Sequence, residues 1–360
     1  MNKEYFLGLN SLRAYAAFAV IYSHIIQNVF PDPLFLAFKY FLIDASSAVS
    51  LFFVLSGFLI TYLLLTESTK NKKVSIGKFY IRRILKIWPL YYAIVIIGLL
   101  IFPVVFGKDY IYTVFYPDNV LIIPIKTQML LAFCLLPNYA TITAPMEHLW
   151  SIGIEEQFYV VWPWIFRHKL SIVKVSLGIL IVKFIISLVI PTLSIPGAKR
   201  IVDEGRFECM AIGALGAYVY FNKLPLLKFV YSKVTQVLVL IAFIYMTGRN
   251  IPVTFLNTMG ISTIFIILIL NLSTNQRALI KIHNPLTEQL GKISYGLYLY
   301  HFPILYIFLK FTPQILFNNI LLYPTIVSFS TIVATWLTAS LSYKWFEMPF
   351  LNLKEKYSTI

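Results

Sequence analysis

The sequence predicts an all-α integral membrane protein, a polytopic bundle of about ten transmembrane helices with both termini cytoplasmic. Of the 360 residues, 59% are hydrophobic and only 12% are charged. The mean hydropathy is +0.78. A soluble protein of this length cannot hide so much apolar surface, so these values exclude the soluble classes and favour one membrane domain.

Ten apolar runs fit the length of a membrane-spanning helix, which is about 20 residues. We place them at 9–28, 45–66, 84–106, 148–166, 170–191, 206–221, 231–247, 251–271, 291–311 and 322–343. The run 126–137 is apolar but short, and we predict a re-entrant or interfacial segment there. If this run spans the membrane instead, every later helix reverses its direction.

Basic residues set the predicted orientation and argue against nucleic acid as a partner. The chain has 30 Lys and Arg against 15 Asp and Glu, which gives a formal charge of +15. These residues cluster between the apolar runs, where they are typical of topology signals, of contacts with the lipid bilayer and of anion binding. With both termini cytoplasmic, 20 of them fall in inner segments and 8 in outer segments, as the positive-inside rule requires.

The chain is expected to carry no soluble domain. We assign residues 1–350 to the membrane domain and 351–360 to a short cytoplasmic tail. The first apolar run lacks a convincing cleavage site, so we expect it to remain as a helix. The two cysteines, Cys134 and Cys209, form no motif, and the sequence has no metal-ligand cluster, so we expect no metal site.

The first apolar run contains two ionisable residues, Arg13 and His24. The spacing places both on one face of a helix, about 16 Å apart along its axis. Ionisable groups inside a membrane are costly and are usually retained for function. We predict that Arg13 binds an anionic group near one membrane surface, and that His24 accepts a proton deeper in the bundle as a neutral imidazole. The alternative is a structural histidine that is hydrogen-bonded in the core.

A basic run between Lys70 and Lys86 precedes the third predicted helix. We predict that Arg82, Arg83 and Lys86 open this helix, whose N-terminus and cationic side chains together bind phosphate. Arg82 and Lys86 are at positions i and i+4 and are expected on one face of the helix. The alternative is a topology signal that contacts lipid headgroups.

The fourth predicted helix begins with an unusually polar stretch that starts at His148. His148 and Glu155 are expected on one face of the helix, and Glu156 follows. Both carboxylates lie further into the predicted helix than polar residues that only contact the membrane surface. The alternative is an interfacial belt of aromatic and polar residues. We predict that this stretch, which includes Trp150 and Ser151, contacts the substrate near the outer face.

Two further groups of polar residues fall inside apolar runs. Ser294, Tyr298 and His301 share a face of the ninth predicted helix, where they either bind substrate or hydrogen-bond between helices. Arg206 and Glu208 begin the sixth predicted helix, where they either contact a polar substrate or pair with each other.

In their order along the chain, these motifs resemble those of membrane-bound acyltransferase family 3, whose members include bacterial surface-polysaccharide O-acetyltransferases. The resemblance covers residues 1–350. The segments that carry it are 12–13 with His24, 50–58, 79–83, 148–151 with 155–159, 294–303 and 346–349. Ala48 stands where the family commonly has Gly, and Lys86 stands where it frequently has Arg. The second difference replaces a planar guanidinium fork with a point charge.

The resemblance implies an enzyme of the inner (plasma) membrane that transfers acyl groups other than amino-acyl groups. The donor would be acyl-CoA, most often acetyl-CoA, presented from the cytoplasm, and no cofactor would be tightly bound. The acceptor would be a hydroxyl of a cell-surface polysaccharide, such as a lipopolysaccharide O-antigen, or of a lipid-linked glycan. A separate periplasmic or glycan-assembly protein is a further possible partner.

The resemblance also implies three groups of site residues. The catalytic residues would be His24, Arg13 and Glu155, with His24 as the base for the acceptor hydroxyl. The CoA-binding residues would be Arg82, Arg83 and Lys86. The remaining residues would bind the acceptor substrate, and they are His148, Trp150, Ser151, Glu156, Arg206, Tyr298 and His301.

A proton-coupled transporter that exports a glycan or lipid intermediate is the main alternative, because transporters also bury His, Glu and Arg. The sequence shows no inverted repeat and no matched pair of broken helices, which argues against it. A non-catalytic membrane partner of a polysaccharide-assembly system is the third hypothesis. The intramembrane pair Arg13 and His24 argues against that one.

Overall fold

The structure, a computed structural model, describes residues 6–30, 38, 41–107, 125–139, 145–193, 202–247, 249, 251–312 and 321–358. Helices make up most of these residues, and none of the described residues lies in a β-strand. In chain order the helices are α1 (Leu9–Val29), α2 (Ala45–Asn71), α3 (Ile76–Ile96), α4 (Ile125–Phe133), α5 (Trp150–Arg167), α6 (Ile172–Val189), α7 (Phe207–Phe221), α8 (Leu226–Val230), α9 (Lys233–Met246), α10 (Phe255–Thr274), α11 (Pro285–Lys292), α12 (Ser294–Phe311), α13 (Leu322–Ser342) and α14 (Met348–Glu355).

Short irregular turns extend several of these helices. A π-helical turn, Ile97–Ile101, and a helical turn, Phe102–Phe106, continue α3, and a second π-helical turn, Tyr343–Glu347, joins α13 to α14. Turns of 3₁₀ type precede α5 at Glu147–Leu149 and follow α6 at Ile190–Leu193. Because the turn at Glu147–Leu149 is of 3₁₀ type, α5 begins at Trp150, two residues after the predicted start at residue 148.

Five of the described helical segments are long and apolar enough to cross a membrane, which confirms the predicted class of all-α membrane protein. These five segments are Ala45–Asn71, Ile76–Val105, Ile172–Leu193, Phe255–Thr274 and Leu322–Glu355. A helix also lies on each of the ten predicted spans. The number of membrane crossings and the cytoplasmic placement of both termini stay predictions, as does the re-entrant character of 126–137, where α4 has 9 residues.

The third predicted helix starts earlier than expected, at Ile76 instead of residue 84. Lys72 ends α2 in a left-handed conformation with φ of 54°, and Ser75 is extended, so the chain turns sharply between the two helices. Arg82, Arg83 and Lys86 therefore lie well inside α3. The expectation that these residues open the helix is wrong, because the free N–H groups of a helix are confined to its first turn.

A break divides the ninth predicted helix into α11 and α12. The side chain of Asn284 accepts a hydrogen bond from Thr287 N at 2.9 Å and caps α11, in which Pro285 occupies the first position. Gly291, near the end of α11, lies against the backbone of α1, where a Cβ atom would be only 2.1 Å from Asn10 O. This close approach packs the end of α11 against the start of α1.

The centre of the bundle is α2, which packs closely against α7. A Cβ atom at Gly57 would lie 2.1 Å from Met210 O, and one at Gly213 would lie 2.2 Å from Val54 O. Two glycines thus let the backbones of the two helices touch, as small residues do in membrane bundles. In contrast, α6 lies at the periphery, with most of its surface exposed.

The C-terminal segment belongs to the folded bundle. After the π-helical turn, α14 packs against α3, and Tyr357 O accepts a hydrogen bond of 2.9 Å from Arg82 Nη1. The residues predicted as a tail from 351 onwards thus contact the membrane domain as far as residue 357. They also contribute to the cavity described next.

Candidate active site

A cavity of about 400 Å³ lies between α1, α2, α3, α5, α11, α12 and α14. Its volume falls within the usual range of small-molecule sites. Its charged lining residues are Arg13, Arg83, Lys86, Glu155, Lys292 and Lys354. Five cations therefore face one carboxylate, so the cavity is suited to an anion. In the predicted topology Arg83, Lys86, Lys292 and Lys354 lie on the cytoplasmic side, and Arg13 lies near the cytoplasmic start of α1.

The three central cations of this cavity have no acidic partner. Among the described residues, no carboxylate lies within ion-pair distance of Arg13, Arg83 or Lys86. The Arg83 guanidinium lies 5.6 Å from the ring centroid of Phe79 and 5.9 Å from that of Tyr159. Cation–π contacts of this kind orient a guanidinium without neutralising its charge.

Hydrogen bonds leave most of this charge available to a ligand. Arg13 Nη1 donates to Asn10 Oδ1 at 3.2 Å, and within the described residues the buried Nε of Arg83 has no hydrogen-bond partner. Lys86 makes no hydrogen bond that the structure records. All three cations are half-buried, and cations that are partly removed from water with so few partners are costly, which is typical of a site that awaits an anion.

Glu155 is the single carboxylate in the cavity wall. Its Oε1 accepts a hydrogen bond from Ser56 Oγ at 2.9 Å, and its Oε2 accepts one from Tyr159 OH at 3.0 Å. The sequence places Glu155 with His148 on the outer, substrate side. The structure instead puts Glu155 in the same cavity as Arg13, whereas His148 does not line that cavity.

Arg82 points away from the cavity that its neighbour Arg83 lines. Its Nη2 forms an ion pair with Glu67 Oε2 at 3.1 Å, and the Glu67 side chain is 1% exposed. Glu67 also accepts a hydrogen bond of 2.8 Å from Ser75 N. Arg82 and Lys86 lie at positions i and i+4 of the continuous helix α3, as expected, but the cavity is lined by Lys86 and Arg83 and not by Arg82. A contact between Arg82 and CoA stays a prediction.

Three histidines from separate sequence motifs come together beside the cavity. His24 Nδ1 lies 2.9 Å from His301 Nε2, and the two ring planes are parallel within 1°. The ring centroid of His148 lies 5.2 Å from that of His301. His301 and His148 are buried, whereas His24 is half-buried. The predicted catalytic residue is thus the most accessible member of the cluster.

Ser151 and Tyr298 connect the cavity wall to this histidine cluster. Both residues line the cavity, and Ser151 Oγ lies 2.7 Å from Tyr298 OH. Tyr298 OH donates to the backbone oxygen of His148 at 2.8 Å. Ser151 Oγ also lies 3.2 Å from the same backbone oxygen, so either hydroxyl can donate in the bond between Ser151 and Tyr298. The two hydroxyls form the boundary between the cationic cavity and the imidazoles.

Arg206 and Trp150 contact each other rather than the cavity. The Arg206 guanidinium lies 5.2 Å from the Trp150 ring centroid, and its Nη1 and Nη2 donate to Ser46 O at 2.7 Å and to Ser46 Oγ at 2.8 Å. A further bond of 3.1 Å runs to Ser50 Oγ. These bonds join the start of α7 to the start of α2, and a substrate contact stays a prediction.

Two other glutamates, Glu208 and Glu156, contact residues that the sequence did not predict as their partners. Glu208 does not pair with Arg206, because its Oε2 lies 3.8 Å from Lys183 Nζ. Lys183 also donates to Val202 O and, at 2.9 Å, to Gly205 O. Glu156 is outside the cavity and accepts a hydrogen bond of 3.0 Å from Trp88 Nε1. Its role as a substrate contact stays a prediction.

Sequence reasoning missed two basic residues of the cavity, Lys292 and Lys354. Lys292 ends α11, and the signal that could have drawn attention to it was a lysine inside the predicted span 291–311. Lys354 lies in the segment predicted as a tail, where the sequence offers no signal. Ser294, by contrast, lines the cavity as a member of the predicted polar face of α12.

Comparison with known proteins identifies relatives over nearly the whole chain. The model of an acyltransferase domain, acyltransferase family 3, matches residues 6–339. The peptidoglycan O-acetyltransferase OatA of Listeria monocytogenes is 28% identical over 375 aligned residues, which cover 97% of this chain and 56% of the relative. The O-acetyltransferase OatA of Staphylococcus aureus is 27% identical over 379 aligned residues, which cover 97% of this chain and 57% of the relative.

A putative O-acetyltransferase of Staphylococcus aureus strain COL is similarly related, with 28% identity over 379 aligned residues. The chain spans 56–57% of the length of these curated relatives. No solved structure shows a significant match. The family model covers the helices that carry Arg13, Arg83, Glu155 and His301. The chain therefore belongs to acyltransferase family 3.

Proposed function

We propose that this protein is a membrane O-acyltransferase that transfers an acyl group, most simply acetyl, from acyl-CoA to a hydroxyl of a cell-surface polymer. The observation that carries the proposal is the cavity in which Arg13, Arg83 and Lys86 lack acidic partners among the described residues. A histidine cluster lies directly behind its wall. The inner membrane is the location that such a reaction requires, with the donor on the cytoplasmic side.

The donor assignment rests on charge and geometry. Acyl-CoA carries several phosphate groups, and guanidinium groups bind phosphate through two parallel hydrogen bonds. Arg83 and Lys86 lie on α3 and Arg13 lies on α1, and all three line the same cavity, so two helices supply cations for a phosphate. Lys292 and Lys354 add positive charge to the cavity lining. The donor binds as a substrate, and the proposal includes no tightly bound cofactor.

The chemical step uses His24 as a general base. His24 takes the proton from the acceptor hydroxyl while its oxygen attacks the acyl carbon. The C–O ester bond forms, the C–S thioester bond breaks, and the CoA sulfur leaves with the proton that His24 returns. Base assistance of this kind contributes about 10²–10⁴ in rate. Arg13 and Glu155 orient the donor in the cavity wall.

The acceptor is proposed from the relatives and from the polar groups near His24. One relative is named for O-acetylation of peptidoglycan, which favours a cell-wall glycan over a lipopolysaccharide O-antigen. His148 and His301 lie in the same cluster as His24, and the Ser151 and Tyr298 hydroxyls adjoin His148, so we assign the sugar to this polar region. Because the chain spans only part of these relatives, a lipid-linked glycan acceptor or a separate periplasmic protein is part of the same proposal.

Two measurements on the purified chain in lipid nanodiscs test this function. We expect CoA to bind in a titration, and we expect a labelled acetyl group to move from acetyl-CoA to a soluble peptidoglycan fragment as an alkali-labile ester. Arg83→Ala should weaken the first result, and His24→Ala should abolish only the second. If CoA does not bind, the assignment of acyl-CoA as the donor is refuted. Saccharide transport across the membrane without ester formation would instead establish the transporter hypothesis.

A further inference from the structure

The hydrogen bond between His24 and His301 has a direction that the surrounding groups determine. His301 Nδ1 lies 2.5 Å from Tyr298 O, and a carbonyl oxygen can only accept. Nδ1 of His301 therefore carries a proton. In a neutral imidazole the other nitrogen is then an acceptor, so His301 Nε2 holds a lone pair.

The same rule assigns the protons of His24. Its Nδ1 lies 2.9 Å from His301 Nε2, and since that atom accepts, His24 Nδ1 must donate. The two ring planes are parallel within 1°, and their centroids are 5.1 Å apart, which is close to the N···N distance plus the two ring radii, so this N–H···N bond lies near the plane of both imidazoles, where the lone pair points. The unprotonated nitrogen of neutral His24 is consequently Nε2.

We propose that His301 is a positioning residue that holds His24 in the tautomer with a basic Nε2. The proposal rests on the function proposed above, in which His24 is the base. The bonds run from Tyr298 O to His301 and from His301 to His24. The backbone carbonyl of Tyr298 thereby determines that Nε2 of His24 is the nitrogen available to the substrate. This is the role of an orienting group next to a catalytic imidazole.

His301 holds protons in place in this arrangement and transfers none. When His24 Nε2 takes the hydroxyl proton, Nδ1–H continues to donate to His301, whose lone pair stabilises the new imidazolium. His24 then returns the proton from Nε2 to the CoA sulfur. No proton crosses to His301, and its own Nδ1–H stays with Tyr298 O.

The third histidine is excluded from this chain of bonds. His148 Nε2 lies 3.1 Å from Leu299 O and must donate to it, and within the described residues His148 Nδ1 has no hydrogen-bond partner. Its ring contacts His301 edge-on, with centroids 5.2 Å apart and the planes at 67°. His148 therefore supplies a matched control, because it touches the same cluster without bonding to His24.

The test measures the tautomer of His24 directly. We would record the ¹⁵N resonances of histidine in the labelled full chain in nanodiscs, without substrate, and assign His24 by the signals lost in His24→Ala. The wild type is expected to show His24 with Nδ1 protonated and Nε2 unprotonated. His301→Leu removes the acceptor and should give a mixture of tautomers. His148→Leu should leave the His24 signals unchanged.

Activity provides the second readout. In His301→Leu we expect kcat to fall by about 10²-fold or more, within the range of general-base catalysis, with the KM for acetyl-CoA unchanged. His301→Gln, whose amide oxygen can accept from His24 Nδ1, should keep the tautomer and recover most of kcat. A dominant Nε2–H tautomer of His24 in the wild type would overturn the proposal. So would an unaltered tautomer in folded His301→Leu.

The two readouts separate this proposal from the proposed function. The ¹⁵N spectrum needs no substrate, so the tautomer result stands even if no acyl transfer is found. Conversely, acyl transfer that depends on His24 but is unaffected by His301→Leu would support the proposed enzyme function and would show that His301 has no role in the mechanism. If His301→Leu does not fold, His301→Gln still tests the proposal. A folded His301→Gln protein in which His24 no longer keeps the Nδ1–H tautomer and kcat falls would contradict the assignment.

Discussion

Arg82 and Glu67 form an ion pair of 3.1 Å that gives two adjacent arginines of α3 different surroundings. Glu67 is buried on α2 and holds both the Arg82 guanidinium and the N–H of Ser75 at 2.8 Å. Arg82 in turn binds Tyr357 O at the C-terminal segment. Arg83, the next residue, lines the cationic cavity. We infer that Arg82 supports the cavity wall from behind, and that Arg83 faces the ligand.

The first prediction separates the two arginines. Arg82→Ala leaves the Glu67 carboxylate buried and unpaired, which is expected to cost about 3–5 kcal/mol of stability. Arg83→Ala removes a cation that has no acidic partner among the described residues, so it should not lower the thermal midpoint but should weaken CoA binding. Thermal unfolding in nanodiscs and CoA titration measure the two effects.

A compensating variant provides the control for this prediction. Adding Glu67→Gln to Arg82→Ala removes the uncompensated charge and keeps an oxygen for Ser75 N, so the double variant should be more stable than Arg82→Ala alone. The opposite pattern, with Arg82→Ala stable but unable to bind CoA, would move Arg82 into the phosphate site.

The second prediction concerns Lys86, which lies in the cavity wall and has no hydrogen bond or ion pair with any other described residue. Lys86→Met keeps the apolar stem and removes the charge, so without ligand we expect the protein to gain about 0.5–2 kcal/mol of stability. CoA affinity should fall about tenfold to a hundredfold, which corresponds to the loss of one charged hydrogen bond of about 1.5–3 kcal/mol. The measurement is thermal unfolding with and without CoA.

The control for Lys86 is Lys70→Met, at the exposed end of α2, which should alter neither quantity. Wild-type CoA binding should also weaken as salt is added, because ions screen the contact. A Lys86→Met protein that is less stable and binds CoA normally would show that Lys86 has a structural role instead.

The third prediction tests the division between donor binding and chemistry. His24 does not line the cationic cavity, so His24→Ala should keep the Kd for CoA while kcat falls by about 10²–10⁴-fold. Ser23→Ala, on the adjacent position of α1, serves as the control for local packing. Loss of CoA binding in folded His24→Ala would contradict the separation of the two regions.

The helices were more predictable than the site. Long apolar runs identify spans directly, and a helix occurs on each predicted one. Helix ends depend on local turns, so the start of α3 at Ile76 and the break before Ser294 were not foreseen. Both differences change which side chains reach the cavity, because a shifted helix end brings other residues, such as Lys292, to its wall.

Residue spacing predicts which side chains share one helix face, but it does not determine how faces of different helices meet. His24, His148 and His301 each belonged to a separate motif, and only the packing of α1, α5 and α12 brings their rings together. Similarly, consecutive helix residues point about 100° apart, so the sequence does not reveal whether Arg82 or Arg83 faces the cavity. The buried partner Glu67, on another helix, decides it.

The fourth prediction concerns the contact between α2 and α7. Gly57→Val would place Cβ 2.1 Å from Met210 O, which forces the two backbones apart, and we expect a loss of at least about 1–3 kcal/mol. Gly260→Val, in α10, meets no atom within 4 Å and is the matched control. Thermal unfolding of both variants in nanodiscs provides the comparison, and equal midpoints would disprove the close approach.

The fifth prediction uses the two natural cysteines to test the orientation. Cys134 is exposed and lies in the stretch between α3 and α5 that is predicted to be outside, whereas Cys209 is buried. A membrane-impermeant maleimide should therefore label Cys134 in intact cells and leave Cys209 unmodified. Cys134→Ala should remove the signal, and denaturation of that variant should then reveal Cys209. Labelling of Cys134 only in inside-out vesicles would reverse the orientation and place the cationic cavity on the outer side, away from cytoplasmic acyl-CoA.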